Sequence, residues 1–237
     1  MNVRELKRED LAYDALFDEF HSALNDYDTR RRVEVLIDDF LKDLDLTGSS
    51  ALDVGCGLGF FSRRLHERGA NVTPCDIAPK CVRHVQSLVG TEGLQADVMN
   101  LGQTLAGKTF DVVVSSECVE HTPDPLVAVT EICKAVKPGG WLALSTPNRV
   151  WQPVVRTAQK FKLRRFDGYE NFVTWNQLCK TVEQSGLKIH RRQGLHLFPF
   201  QFGMHSLSRW LDSHAQWTAG VMINICLLAR KESESAS

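Results

Sequence analysis

The sequence predicts a doubly wound α/β domain: a mostly parallel sheet with helices on both faces. Three observations carry that reading. Short valine- and leucine-rich runs alternate with helical stretches between Leu52 and Leu144. A glycine-rich turn, Gly55-Cys56-Gly57-Leu58-Gly59, follows the first of these runs. An acidic residue, Asp76, closes the second run 17 residues beyond the last glycine of that turn. Alternation of this kind implies right-handed crossovers, and hence parallel strands buried between helices.

Taken in chain order, two amphipathic helices are expected first, from Glu5 to Leu24 and from Thr29 to Leu44. The runs ALDVG, NVTPCD, GLQAD, FDVVVSS and GWLALST are rich in strand-forming residues and bounded by turn residues. Between them FFSRRLHERG, PKCVRHVQSLVG and DPLVAVTEICKAVKPGG have helical spacing. Asp124 is placed to cap the last of these, and Pro138-Gly139-Gly140 to end it. TWNQLCKTVEQSGLKIHRRQG then reads as a helix ending near Gly186 followed by a strand, and GVMINICLLARK as a final buried strand. The segments Asn148–Asn171 and Leu195–Trp217 fit no crossover. They carry Trp151, Phe161, Phe166, Tyr169, Phe198, Phe200, Phe202 and Trp210, as a pocket wall or a satellite apolar cluster would.

With 237 residues, 43% hydrophobic and 24% charged, the chain suits one soluble domain with a large core. Its net charge of -1 gives no general basic field, so nucleic acid is not an expected partner. No secretory leader and no membrane span is expected. Seven scattered cysteines without a C-x-x-C pair argue against a disulfide framework or zinc site and fit a reducing cytoplasm. Cys56, Cys75 and Cys118 are read as packing residues. The basic run Lys160, Lys162, Arg164, Arg165 is read as a solvated helix face, with peripheral membrane contact left open. The expected division of this single domain is a helical cap (1–47), a ligand-binding core (48–148), a lid with the C-terminal strands (149–230) and a disordered tail (231–237).

In an open α/β sheet, ligands sit beyond the carboxyl ends of the strands where strand order reverses, and Asp76 is placed to accept from the hydroxyls of a ribose. A dinucleotide fingerprint would need a third glycine at position 60, which is Phe60, and no G-K-[ST] follows. The pattern, D-x-G-x-G-x-G opened by Asp53, therefore favours a ribosyl ligand without a pyrophosphate and argues against a nicotinamide oxidoreductase.

LDVGCGLGFFS, CDIAP, QADV, FDVVVSSECVEH and VKPGGWLALSTPN stand in the order of five motifs, and together they resemble the class I S-adenosylmethionine-dependent methyltransferases from Leu52 to Asn148. The resemblance implies a Rossmann-like seven-stranded sheet whose last strand is antiparallel, with S-adenosylmethionine as cofactor and S-adenosylhomocysteine as product. It implies that Asp53, Gly55, Cys56, Gly57 and Gly59 line the methionine moiety, and that Asp76 binds the ribose with Ile77 on the adenine. Asp97 would take the adenine amino group beside Val98, and Ser116 and Glu117 would close the pocket. Each has a plainer alternative; for Asp97 it is a helix cap.

A small-molecule acceptor is expected, methylated most readily on a hydroxyl. Nitrogen or carbon acceptors, or a silent cofactor-binding partner subunit, are the alternatives. His121, with Glu120 to orient it, is the candidate general base; the alternative is a histidine that shapes its loop. Glu117, Glu120 and His121 also form E-x-x-E-H, a set able to bind a divalent cation, as in the metal-assisted O-methyltransferases of ubiquinone synthesis that this stretch resembles. The metal-free base is the preferred mechanism, because Glu117 is assigned to the cofactor. The loop histidines His196, His205 and His214 are expected to be solvated.

Overall fold

The computed structural model describes residues 26–160, 169–197 and 205–233. The expected helix Glu5–Leu24, the aromatics Phe161, Phe166, Phe198, Phe200 and Phe202, the basic residues 162–165 and the end of the tail lie outside them.

Seven strands form one sheet: β1 (Ser50–Val54), β2 (Asn71–Asp76), β3 (Leu94–Gln95), β4 (Phe110–Ser116), β5 (Val136–Pro147), β6 (Leu187–Leu195) and β7 (Asn224–Lys231). Their order is β3-β2-β1-β4-β5-β7-β6, and β7 runs antiparallel to both of its neighbours. The chain moves outward from β1 to β3 and then returns to β4, so the order reverses between β1 and β4. Such a reversal marks the carboxyl ends of these strands as the expected place for a ligand.

The strand period of two divides the core. On β4, Val112 and Val114 face a layer formed by Leu36, Ile37 and Leu41 with Phe61 and Leu65. Val113 faces Leu101, Ile132, Leu178 and Val182 in the opposite layer. Both faces are covered, so the central strands are mostly apolar, and each buried aliphatic side chain contributes about 1.5–3 kcal/mol.

Helix α1 (Asp26–Val33) runs directly into a π-helical segment, Glu34–Asp39, and corresponds to the expected helix Thr29–Leu44. Helices α2 (Phe60–Glu67), α3 (Pro79–Val89), α4 (Leu101–Leu105) and α5 (Pro125–Lys134) follow. The predicted cap is present: Asp124 Oδ1 accepts from the backbone amides of Leu126 and Val127. One boundary differs. Helix α5 stops at Lys134, and Pro138-Gly139-Gly140 lies in the first, irregular part of β5. A Cβ on Gly140 would meet the carbonyls of Asp111 and Lys137 at 2.9 Å, so this glycine serves strand contact and not helix termination.

The segments without an assigned crossover contain α6 (Gln152–Lys160) and α8 (His205–His214); α7 (Trp175–Gln184) lies between them, started by a Thr174–Gln177 capping box. All seven cysteines are free. Among the described residues no helix is long and apolar enough to cross a membrane.

Candidate active site

The turn after β1 is built by three glycines at positive φ, and their reasons differ. A Cβ on Gly55 would lie 2.7 Å from both Cβ and Sγ of Cys118, in the loop after β4. A Cβ on Gly59 would lie 2.9 Å from Val85 Cγ2 on α3. These two glycines let protein pack against protein. A Cβ on Gly57 meets nothing nearer than the Gly55 carbonyl at 4.0 Å, so Gly57 alone presents open space.

Asp76 fastens this turn. Its Oδ2 accepts from Gly57 N at 3.0 Å and its Oδ1 from Ala78 N at 2.9 Å, which ties the glycine turn to the start of α3. Asp53 works from beneath. Only 1% exposed, it accepts from Ser62 Oγ at 2.6 Å, and burial pushes its pKa up to about 7 despite that bond, with the nearby Asp76 charge adding to the rise. Cys56 and Cys118 are held as thiols, chiefly by burial. Beyond β2 and β3, Ile77 and Asp97 are half-buried and Val98 is buried; Asp97 Oδ1 caps a short 3-10 turn through Met99 N.

The loop after β4 supplies the remaining candidates. His121 Nδ1 lies 3.0 Å from the Tyr169 carbonyl oxygen. A carbonyl only accepts, so this nitrogen carries the proton, and in the neutral ring Nε2 is the basic one. That Nε2 is 3.9 Å from Glu120 Oε1. Glu120 is 2% exposed, its Oε2 accepts from Thr146 Oγ1 at 3.3 Å, and burial raises its pKa to about 7. Glu117 has the left-handed φ of 52° that non-glycine residues rarely adopt. Its carboxyl is raised above the usual range by burial and by Glu120.

A family model described as a methyltransferase domain matches residues 26–191. The chain belongs to that methyltransferase family. It is 36% identical over 159 residues to a ubiquinone biosynthesis O-methyltransferase of Methylobacterium nodulans, covering 62% of this chain and 63% of that one. A protein of the same name from Xylella fastidiosa is 32% identical over 182 residues, 70% of this chain and 72% of that one. In three dimensions the magnesium protoporphyrin IX methyltransferase of Synechocystis, solved with bound S-adenosylhomocysteine, superposes with a TM-score of 0.67 at 17% identity, covering 94% of this chain and all of that one.

As a member of this family the protein is an S-adenosylmethionine-dependent methyltransferase, and its crevice fits such a donor. The open glycine of the turn, the carboxylate of Asp76 beside it and the half-buried Ile77 and Asp97 stand at the carboxyl ends of β1, β2 and β3, on one side of the reversal. A cavity of about 330 Å³ lined by Thr73, Thr91, Lys108 and Phe110 lies instead at the amino-terminal ends of the strands, away from this crevice.

The E-x-x-E-H set does not converge in the methyltransferase. Glu120 turns inward to Thr146 while His121 reaches Tyr169, and among the described residues no three His, Cys, Asp or Glu side chains come together as metal ligands. Sequence reasoning missed a buried charged group beside Glu117. Arg32 on α1, 6% exposed at its side chain, donates to Asp28 Oδ2 at 2.9 Å and to Ser116 Oγ at 2.6 Å. Asp28 Oδ1 meets His196 Nε2 at 2.9 Å. Burial works against ionised Asp28, but Arg32 and His196 outweigh it and hold the carboxyl well below its ordinary range. His196 was expected in solvent and is fully buried, whereas His205 and His214 are exposed. The partners of this group lie 84 and 168 residues apart, so no local pattern announced it.

Proposed function

We propose that this methyltransferase methylates a hydroxyl group of a small-molecule acceptor, with His121 as general base. The observation that carries the reading is the Nδ1 bond of His121 to Tyr169, which makes Nε2 the proton-accepting atom in the neutral ring. The names of the two O-methyltransferase relatives support oxygen as the methylated atom.

Gly57 and Gly55 with Cys56 and Gly59 would shape the bed for the donor, with Asp53 bracing it from below. Asp76 would receive the ribose hydroxyls, Ile77 and Val98 would flank the adenine, and Asp97 would take its amino group. Bound there, S-adenosylmethionine supplies an electrophilic methyl group on a sulfonium. His121 Nε2 takes the acceptor's hydroxyl proton as the oxygen becomes the nucleophile. Glu120 Oε1, at 3.9 Å, steadies the imidazolium that results. General-base help of this kind is worth on the order of 10²–10⁴-fold. A polar cavity of about 260 Å³ is lined by Gln152, Arg156, Asn171 and Tyr169, whose carbonyl holds His121, and would offer room for part of an acceptor.

The test is a panel of phenols, catechols, hydroxy acids and amines incubated with isotopically labelled donor, with the methylated atom read by NMR. Labelled ether supports the proposal. Label only on nitrogen or carbon overturns it, and cofactor binding without transfer to any acceptor favours a silent partner subunit.

A further inference from the structure

Arg32 enters the site from outside the sheet. Its guanidinium spans Asp28 and Thr29 on its own helix and Ser116 at the end of β4. Ser116 Oγ is 2.8 Å from Ser145 Oγ on β5, and Ser145 Oγ donates to Glu117 Oε1 at 3.3 Å. The directions follow from the proton count. Arginine only donates, so Ser116 accepts from it. The single proton of Ser145 points at Glu117, so Ser116 is the donor in the bond between the two serines. The result is a one-way chain from Arg32 through two hydroxyls to Glu117.

The chain ends on strained backbone. A left-handed L-residue costs roughly 1–2 kcal/mol, and such strain persists where its surroundings over-determine it. Here Glu117 N donates to Ser145 O at 3.1 Å, so Ser145 holds both the backbone and the side chain of Glu117. Asn224 on β7 bonds the same carboxyl. Ser145 and Asn224 belong to the β5–β7 side of the reversal, whereas the glycine turn and Asp76 belong to β1 and β2.

We infer that Arg32 is a positioning residue for methyl transfer. Acting through Ser116 and Ser145, it fixes the Glu117 carboxyl on the acceptor side of the crevice, where Glu117 accepts a hydrogen bond from the acceptor and selects for acceptors that offer one. This inference rests on the proposed function for its acceptor. It differs from the sequence assignment, which gave Glu117 to the cofactor.

The experiment compares wild type with Arg32→Lys and Ser145→Ala. A lysine keeps the positive charge but cannot reach Asp28, Thr29 and Ser116 together. Ser145→Ala cuts the chain and leaves the Arg32–Asp28 pair whole. Calorimetry with S-adenosylhomocysteine is expected to give affinities within about twofold of wild type for both variants. On any acceptor that wild type methylates, kcat/KM is expected to fall at least tenfold. The infrared band of the Glu117 carboxyl, assigned by its loss in Glu117→Gln, is expected to shift in Ser145→Ala whether or not an acceptor is known. A parallel loss of S-adenosylhomocysteine affinity returns Glu117 to the cofactor and overturns the inference. So does an unmoved band, or an unchanged kcat/KM in Ser145→Ala. The proposed function fails separately, on the identity of the methylated atom.

Discussion

Replacing Gly57 by alanine separates ligand contact from folding in a way that neither neighbouring glycine allows. At φ 48° an alanine sits in the left-handed region, at a cost of about 1–2 kcal/mol. The added methyl group has no protein atom nearer than 4.0 Å, so no overpacking adds to that cost. For a domain of this size the melting temperature should then fall by about 2–8 °C. The methyl group does, however, occupy the face left open for the donor. S-adenosylhomocysteine affinity measured by calorimetry should therefore drop at least tenfold, about 1.4 kcal/mol. Gly55→Ala behaves differently, because its methyl group would stand 2.7 Å from Cys118 and add about 1–3 kcal/mol of overpacking to the backbone cost. Its folding should suffer before binding can be compared. A Gly57→Ala protein that melts slightly low yet binds S-adenosylhomocysteine at wild-type affinity would refute the reasoning, since the donor would then lie elsewhere.

Other expectations follow from the same site. Asp53 titrates near 3.9 in an unfolded chain and near 7 in the fold, so between those values the folded state holds more proton and stability falls as pH rises. A rise of that size corresponds to on the order of 4 kcal/mol. Urea unfolding of Asp53→Asn beside wild type should show their difference changing steadily from pH 4 to 7 and level above; a constant difference would show that Asp53 is not the group responsible. Asp76→Asn puts an amide where two backbone N–H groups donate, so thermal stability and S-adenosylhomocysteine affinity should fall together, each by about 1.5–3 kcal/mol. Loss of one without the other would separate turn and ligand. His121→Gln should lower kcat about 10²–10⁴-fold with cofactor affinity kept, and an unchanged kcat would remove His121 from the base role.

Much of the fold was legible because the signals are local. Valine and leucine runs at strand length, the Asp124 cap and the capping box at Thr174 act within a few residues. Periodicity therefore located all seven strands and helices α1, α2, α3, α5 and α7, and the resemblance supplied the antiparallel direction of the last strand. The misplaced end of α5 has a local cause too: Pro-Gly-Gly is punctuation in a helix and in a strand alike, and only the neighbouring carbonyls of Asp111 and Lys137 decide which it is. In the candidate site, Asp76 and the turn were legible for the same reason. The distinct duties of Gly55, Gly57 and Gly59 were not, since they depend on Cys118 and Val85, which are distant in sequence.

By itself the sequence determined the alternation of strand and helix, the glycine turn with its acidic partner, and membership of a methyltransferase family. Those properties reside in spacing along the chain. The tertiary structure alone decided which glycine of the turn is left open, which partners Glu120 and His121 each take, and that a buried Arg32–Asp28–His196 group stands behind Glu117. Each of these depends on side chains brought together across as many as 168 residues, where burial and hydrogen-bond geometry set the outcome and sequence spacing carries no record of it.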